Sequence, residues 1–341
     1  MKKYLLPENC NYYKANLHVH TDISDGKMTP EEAKEGYKSH GYSVLAYTDH
    51  EVFVPHNDLC DDDFIALNAV ELAINDGWPG GFKYNKTYHL NLYARSQELT
   101  ECCGCTGTSI TRENSRAYAT EQTLNNKYMK FYSVTAINDL ISRVNNDGFF
   151  VCYNHPVWSL QNYDDYSGLR GLWGVEVYNT GGARNGYEDN AVPYDALSRE
   201  NQRLVPVASD DAHSLNKSAY GGWTMIAADS LSYDNIITAL ERGDCYSSTG
   251  PEIKELYIED GIVHASFSDA VYAKLNTNIR FVRNKHAGAD DVINEVSFDI
   301  NDFLADTFEG CYRNERYFRI EIMDKAGKRA WTKAYFINDI L

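Results

Sequence analysis

Apolar runs alternate with polar, helix-like segments over roughly the first 210 residues of the chain. The apolar runs predict seven short strands, at 14–19, 42–47, 65–70, 88–93, 149–153, 174–178 and 204–208. A first helix is predicted to begin at Pro30, because Thr29 is a favourable N-cap and Glu31 and Glu32 place acids in the first turn. Further helices are predicted at 134–146 and 187–199. This alternation favours an α/β fold with a barrel-like parallel sheet.

The pattern changes near residue 250. Short runs of alternating apolar and polar residues follow, at 253–258, 279–282, 295–298, 318–323 and 334–337, with turn residues between them. They predict a small β-sandwich. We therefore predict a first domain over residues 1–250 and a β-rich domain over residues 251–341.

A polar stretch at about 94–130 interrupts the alternation and is predicted to be an insertion near the functional site. It contains Cys102, Cys103 and Cys105. No second half of a zinc motif accompanies these cysteines, so ordinary loop thiols are favoured over a zinc site.

Composition and charge restrict the function further. The 341 residues are 43% hydrophobic, and 32 basic against 49 acidic residues give a net charge of −17. Such a surface disfavours binding to nucleic-acid polymers and anionic membranes. The sequence shows neither a secretory signal nor an apolar run of about 18 residues, and its eight cysteines are too sparse for a disulfide scaffold. These features predict a cytoplasmic protein without a membrane partner.

Six of the ten histidines lie at or just beyond predicted strand ends: His18, His20, His50, His89, His155 and His213. Four carboxylates accompany them: Asp25, Asp49, Glu71 and Asp211. His18 and His20 point to the same side of a strand, since side chains alternate with a period of two. Imidazole with carboxylate suits manganese, zinc or iron, and so many ligands imply more than one ion. The alternative is that each histidine only satisfies a local hydrogen bond. It is disfavoured because six histidines with carboxylate companions occur at successive strand ends.

The ordered motifs resemble the polymerase and histidinol phosphatase (PHP) family over residues 14 to about 250. They are Asn16-Leu17-His18-Val19-His20-Thr21, Ser24-Asp25-Gly26, Thr48-Asp49-His50, Glu71, His89 in His-Leu-Asn-Leu, Asn154-His155-Pro156 and Ser209-Asp210-Asp211-Ala212-His213. The resemblance implies a distorted (β/α)7 barrel with a trinuclear metal centre. The β-rich extension after residue 250 is similar to stand-alone PHP hydrolases of the branch that includes carbamate-hydrolysing enzymes.

The resemblance also implies three ligand sets, in which Glu71 bridges the first two ions. The first set is His18, His20, Glu71 and Asp211, the second is Glu71, His89 and His155, and the third is Asp25, His50 and His213. Asp211 is selected from the Asp210-Asp211 doublet by the Asp-x-His spacing, with Asp210 as the alternative. We assign the catalytic role to Glu71, Asp211 and His213. A metal-bridging hydroxide would be the expected nucleophile.

For three residues outside these sets, the sequence allows either a functional or a local role. Arg184 and Lys217 could bind a substrate phosphate or could be ordinary surface cations. Asp49 could orient an imidazole or could cap backbone groups nearby.

The leading hypothesis is a phosphoesterase that hydrolyses a small phosphorylated metabolite or nucleotide with two or three divalent ions. An ester or carbamate hydrolase with the same centre is the alternative, motivated by the C-terminal β-extension. A non-catalytic binding module is a third possibility, while a polymerase-associated nuclease is disfavoured by the missing basic surface. The substrate, the metal and the oligomeric state are left open by the sequence.

Overall fold

The structure is a computed structural model that describes residues 2–77, 86–188, 190–305 and 314–340. The helices within these ranges are α1 (Pro30–Lys38), α2 (Glu113–Tyr118), α3 (Glu121–Asn125), α4 (Val134–Asn146), α5 (Tyr163–Tyr166), α6 (Thr180–Arg184), α7 (Val192–Ser198), α8 (Leu215–Ser218), α9 (Tyr233–Arg242), α10 (Asn301–Ala305) and α11 (Ile337–Ile340). None of these helices is both long and apolar enough to cross a membrane.

The strands of the same ranges cover both predicted parts of the chain. They are β1 (Lys3–Tyr4), β2 (Asn11–Val19), β3 (Val44–Tyr47), β4 (Ile65–Asn75), β5 (Thr87–Ala94), β6 (Phe149–Tyr153), β7 (Gly174–Asn179), β8 (Val205–Ser209), β9 (Trp223–Ala228), β10 (Cys245–Ser248), β11 (Ile253–Glu259), β12 (Ile262–Ala270), β13 (Tyr272–Thr277), β14 (Arg283–His286), β15 (Ile293–Asp299), β16 (Tyr317–Met323), β17 (Arg329–Thr332) and β18 (Tyr335–Phe336).

Local sequence signals determine where two of the predicted helices begin. In α1 the Thr29 side chain accepts a hydrogen bond from the Glu32 backbone while the Glu32 side chain accepts one from the Thr29 backbone, which completes a capping box. Helix α4 spans the predicted residues 134–146 and is capped by Ser133. The helix predicted at 187–199 begins only at Val192, because Pro193 fits the first turn of a helix but not its interior.

A large mixed sheet organises the fold. Its strand order is β14-β13-β16-β17-β10-β9-β2-β3-β4-β5-β6-β7-β8, and β18 pairs with β16. Strands β2, β3 and β4 are parallel to one another, as are β6, β7 and β8. Strand β5 is antiparallel to both β4 and β6, and β9 is antiparallel to β2 and β10. The prediction of a parallel sheet was therefore wrong for these antiparallel pairs.

The last strand of this sheet, β8, returns to the neighbourhood of β2, β9 and β10. The Ser247 hydroxyl accepts a hydrogen bond from the Ala208 backbone N–H at 2.9 Å, and Thr224 Oγ1 lies 3.3 Å from the Ala208 carbonyl. At the end of β8, the Asp210 N–H donates to Asn16 Oδ1 at 2.9 Å. Side chains thus join these strands, and no continuous backbone ladder closes the sheet within the described ranges. The predicted seven-stranded barrel is not confirmed.

A second sheet, β1-β11-β12-β15, faces the β13, β16 and β17 end of the large sheet across an apolar core. The buried side chains of this core come from both sheets and include Ile253, Leu256, Val263, Phe267, Leu275, Phe318, Ile320 and Ile322. This arrangement matches the predicted sandwich, in which apolar residues alternate along each strand. The strand predicted at 279–282 is a loop, because Thr277 Oγ1 lies within hydrogen-bond distance of the Ile279 and Phe281 carbonyls and stabilises a turn.

The large sheet continues across residue 250, since β10 pairs with β17. A buried ion pair also connects the two parts of the chain. Arg319 of β16 donates to both carboxylate oxygens of Asp195 in α7, at 2.7 and 2.8 Å. The domain boundary near residue 250 stays a prediction.

Candidate metal centre

The carboxyl ends of β2, β3 and β8 meet beside Glu71, which lies within β4. The His20 N–H donates to the Ala212 carbonyl at 3.0 Å, which joins the end of β2 to the segment after β8. The Thr48 N–H donates to the Val19 carbonyl at 3.0 Å, and an isolated bridge pairs His50 with Glu71. Backbone pairing thus brings His20, His50, Glu71 and the segment after β8 together. His89 departs from the predicted placement, since it lies near the amino end of β5, which is antiparallel to β4.

Glu71 of β4 lies at the centre of this cluster and is buried. Its two carboxylate oxygens lie between 3.0 and 3.3 Å from ring nitrogens of five histidines: His18, His20, His50, His89 and His155. One carboxylate thus faces five imidazoles, as a bridging metal ligand would.

Asp211 and Asp25 extend the cluster on either side of His20. Asp211 Oδ1 lies 3.1 Å from His20 Nε2 and 3.4 Å from His18 Nε2. Asp25 Oδ1 lies 3.3 Å from His213 Nε2 and 3.8 Å from His20 Nδ1. All nine residues that the sequence singles out as metal ligands consequently lie in one continuous cluster.

Four subsets of the cluster have possible ligand atoms within 4.8 Å of one another. They are His20, Asp25, His50 and His213; His18, His155 and Glu176; His18, His20 and Asp211; and His50, Glu71 and His89. The grouping of Asp25, His50 and His213 follows the third predicted set, with His20 added. His155 groups with Glu176 rather than with His89. The division into three sets stays a prediction.

Three buried polar atoms in the cluster lack a hydrogen-bond partner: His20 Nδ1, His50 Nδ1 and Glu71 Oε2. His50 Nδ1 and Glu71 Oε2 are only 3.2 Å apart but are not aligned for a hydrogen bond. Leaving a buried polar atom unpaired costs about 1–3 kcal/mol. Atoms that face one another without bonding are suited to a shared cation, and imidazole with carboxylate fits divalent manganese, zinc or iron.

The charges of the cluster are strongly coupled. Burial opposes ionisation of Glu71 and Asp211, but the surrounding imidazoles outweigh burial and hold the pKa of both carboxyls well below the usual range. Burial also opposes the charge on His20 and His155, yet the adjacent carboxylates of Glu71 and Asp211 raise their pKa to about 10 and about 9. Burial and the nearby His20 lower the pKa of His50 to about 3. A divalent cation would compete with protons for these nitrogens.

Glu176 of β7 is a buried residue of the cluster that the sequence analysis did not single out. Its Oε1 lies 2.9 Å from His18 Nδ1, and its Oε2 accepts from the His155 backbone N–H at 2.9 Å and from Asn179 Nδ2 at 3.0 Å. A carboxylate on the far nitrogen of a ligand histidine fixes the ring and raises its basicity. The available signal was a single acid within the otherwise apolar strand.

Replacing Glu176 with glutamine is expected to weaken divalent-metal binding about 10–100-fold, because the charged acceptor for His18 is lost while the shape is kept. Titration of the metal-free protein with Mn²⁺ measures this change. Glu321→Gln removes another buried carboxylate, on β16, and is expected to leave metal affinity unchanged. Equal affinities for wild type and Glu176→Gln would refute the orienting role.

Of the two roles considered for Asp49, the structure supports local hydrogen bonding rather than the orientation of an imidazole. Its Oδ1 accepts from the Thr21 backbone N–H at 2.8 Å and from Ser24 Oγ at 2.6 Å, while Oδ2 accepts from Thr21 Oγ1 at 2.7 Å. Asp49 therefore holds the loop that carries Asp25, and it bonds no imidazole among the hydrogen bonds of the described ranges.

Asp210 lies apart from the cluster, as the choice of Asp211 requires. Its carboxylate accepts from Tyr37 Oη at 2.9 Å and from Thr180 Oγ1 at 2.6 Å. It also accepts from the backbone N–H groups of residues 220–222. Asp210 thus stabilises the loops that surround Asp211.

Arg184 and Lys217 are exposed and adjacent to each other, since Arg184 Nη1 donates to the Lys217 carbonyl. No hydrogen bond or ion pair of the described residues joins either side chain to the histidine–carboxylate cluster. Their proposed contact with substrate stays a prediction.

The insertion supplies a cation that the sequence analysis did not single out. Arg112 Nη2 lies 3.0 Å from Asp25 Oδ2. Trp158, a second residue not foreseen, packs its ring 5.4 Å from that of His89 and 5.1 Å from that of His155. The cluster therefore has an arginine at one side and an aromatic side chain at another.

The cysteines of the insertion are free thiols, and Cys102 and Cys105 are packed in the apolar core. Burial raises the pKa of the half-buried Cys103 to about 12, which disfavours the thiolate that zinc requires. These observations agree with ordinary loop thiols.

Comparison with known proteins gives distant structural likenesses. No family model and no curated protein matches the chain. A two-domain protein from Bacteroides vulgatus, containing a predicted PHP-like metal-dependent phosphoesterase, aligns over 97% of this chain and 90% of that one, at 15% identity and a TM-score of 0.45. A candidate metal-dependent phosphoesterase from Bifidobacterium adolescentis aligns over 61% and 91%, at 15% identity and a TM-score of 0.37.

An amidohydrolase from Chromobacterium violaceum, with bound sulfate and no metal, aligns over 68% of this chain and 96% of that one. Its identity is 14% and its TM-score is 0.35. All three TM-scores lie below 0.5, so the function proposed below depends on the side chains of the site itself.

Proposed function

We propose that the protein is a metal-dependent phosphoesterase that hydrolyses a small phosphorylated metabolite or nucleotide at a centre of two or three divalent ions. The observation that carries the proposal is the buried Glu71 carboxylate, which faces five imidazoles and leaves one oxygen without a hydrogen bond. Such a set of atoms is suited to cations rather than to a neutral hydrogen-bond network.

The nine predicted ligands would hold these ions: His18, His20, Asp25, His50, Glu71, His89, His155, Asp211 and His213. Divalent ions bound there would supply Lewis acidity and positive charge for a phosphoryl group. The exposed fraction of the side chains indicates the side from which substrate enters. His213 is 38% exposed and His50 is 20% exposed, whereas His18 and His155 are buried. Substrate would therefore approach from the side of Asp25, His50 and His213.

Charge supports an anionic substrate at this site in spite of the net charge of −17. The cluster carboxylates have depressed pKa values and are ionised at neutral pH, so they can hold several divalent ions. The local charge then becomes positive where the substrate binds, although the surface at large is negative.

The test is hydrolysis of a panel of phosphate monoesters and diesters, together with aryl carbamates and carboxyl esters, by the Mn²⁺-loaded protein. We expect phosphate-ester turnover that a chelator abolishes and that Mn²⁺ restores. Preferential turnover of carbamates or esters would assign the alternative hydrolase. Absence of turnover across the panel, with metal bound, would contradict an enzymatic role.

A further inference from the structure

The two oxygens of Asp25 face different partners. Oδ1 points towards the imidazoles, at 3.3 Å from His213 Nε2 and 3.9 Å from His50 Nε2. Oδ2 accepts from Arg112 Nη2 at 3.0 Å. Asp25 can therefore keep the arginine on one oxygen while the other oxygen serves the cluster.

The position of Arg112 is fixed by the residues that follow it. Asn114 Nδ2 donates to the carbonyls of Asp22 and Ser24, at 2.6 and 2.8 Å. The buried Ser115 hydroxyl donates to the Ile23 carbonyl at 2.8 Å. The start of α2 is thus fastened onto the loop that carries Asp25, and Arg112 is held at the cluster by three further hydrogen bonds.

Arg112 also has N–H donors that can bind a further acceptor. A guanidinium carries five N–H donors in a planar fork, and the Arg112 side chain is 48% exposed. It binds Asp25, which borders the open side of the cluster together with His50 and His213. Within the described ranges it is the one lysine or arginine side chain that forms an ion pair with a predicted metal ligand, since Lys130 pairs with Glu51 instead.

We propose that Arg112 binds a terminal oxygen of the substrate's phosphoryl group and selects phosphate monoesters over diesters. This inference rests on the proposed function. A monoester dianion presents terminal oxygens both to the cations and to the guanidinium, whereas a diester has one charged oxygen fewer. Arginine binds such oxygens through charge-assisted, often paired hydrogen bonds, which lysine cannot reproduce in the same geometry.

The test compares Arg112→Gln and Arg112→Lys with the wild type, all at saturating Mn²⁺. For Arg112→Gln we expect kcat/KM for phosphate monoesters to fall about 10–100-fold and that for diesters to fall less than about threefold. Arg112→Lys is expected to recover only part of the loss. Binding of inorganic phosphate to the Mn²⁺-loaded protein, measured by calorimetry, is expected to weaken by a similar factor, with the metal content unchanged.

Two variants provide controls. Arg116→Gln removes another arginine of the insertion, whose side chain donates to the Gly107 carbonyl. We expect it to change neither kcat/KM for phosphate monoesters nor the affinity for inorganic phosphate. Arg184→Gln tests the arginine suggested by the sequence, and an effect confined to that variant would overturn the proposal.

The outcomes separate this inference from the proposed function. If the wild type hydrolyses no phosphate ester, the proposed function fails, while weaker phosphate binding by Arg112→Gln still supports an anion-binding arginine. If the wild type is active and Arg112→Gln keeps wild-type phosphate binding and monoester preference, the inference is overturned. Loss of bound metal at saturating Mn²⁺ would also overturn the substrate role.

Discussion

Replacing Glu71 with glutamine is expected to lower metal-dependent turnover about a thousandfold. The carboxylate faces five imidazoles and is the negative charge at the centre of the cluster. Glutamine keeps the size of the side chain but removes the charge and points N–H donors at cations. A loss of about 4 kcal/mol in transition-state stabilisation corresponds to roughly a thousandfold in rate.

The measurement is kcat/KM on the best substrate of the panel, with the metal content of each protein determined in parallel. Glu200→Gln makes the same chemical change at an exposed position and is expected to alter turnover less than about threefold. A Glu71→Gln protein that retained its metal and more than about a tenth of wild-type activity would contradict the central role of this carboxylate.

Replacing Asp195 with alanine is expected to lower the free energy of unfolding by about 3 kcal/mol. Asp195 accepts two hydrogen bonds from Arg319, whose side chain is 3% exposed. Removing one partner of a buried ion pair leaves an uncompensated charge, at a cost of about 3–5 kcal/mol. Glu321 remains 3.2 Å from Arg319 Nη1, which places the expected loss at the lower end of that range.

Urea denaturation measures this loss. Asp302→Ala removes a carboxylate that is 91% exposed and lies 3.8 Å from Arg283, so a change of less than about 1 kcal/mol is expected there. A similarly small change in Asp195→Ala would show that the Asp195–Arg319 pair does not hold α7 against β16.

The sequence predicts well those features that depend on residues close together in the chain. The Thr29 N-cap and the start of α1 at Pro30 depend on adjacent residues, and the structure confirms both. His18, His20, His50, His155, Asp211 and His213 lie at or just beyond the carboxyl ends of strands, as predicted, whereas Glu71 lies within β4 and His89 near the amino end of the antiparallel β5. That inference needed no knowledge of the detailed pairing of the strands.

The features that the sequence analysis missed depend on contacts between distant segments. Strands β5, β9 and β10 make the sheet mixed through their antiparallel pairs, and a short apolar run does not reveal which strand it will join or in which direction. Glu176 lies 158 residues from His18, and Arg112 lies 87 residues from Asp25. Each has a defined role only after strand pairing or docking of the insertion brings its partner close.

The proposed metal centre is tested most directly by anomalous diffraction from crystals of the Mn²⁺-loaded protein. We expect two or three manganese peaks bounded by Glu71, Asp211 and Asp25, with imidazole nitrogens of the surrounding histidines as ligands. Crystals grown at saturating Mn²⁺ that show no manganese between these side chains would contradict it.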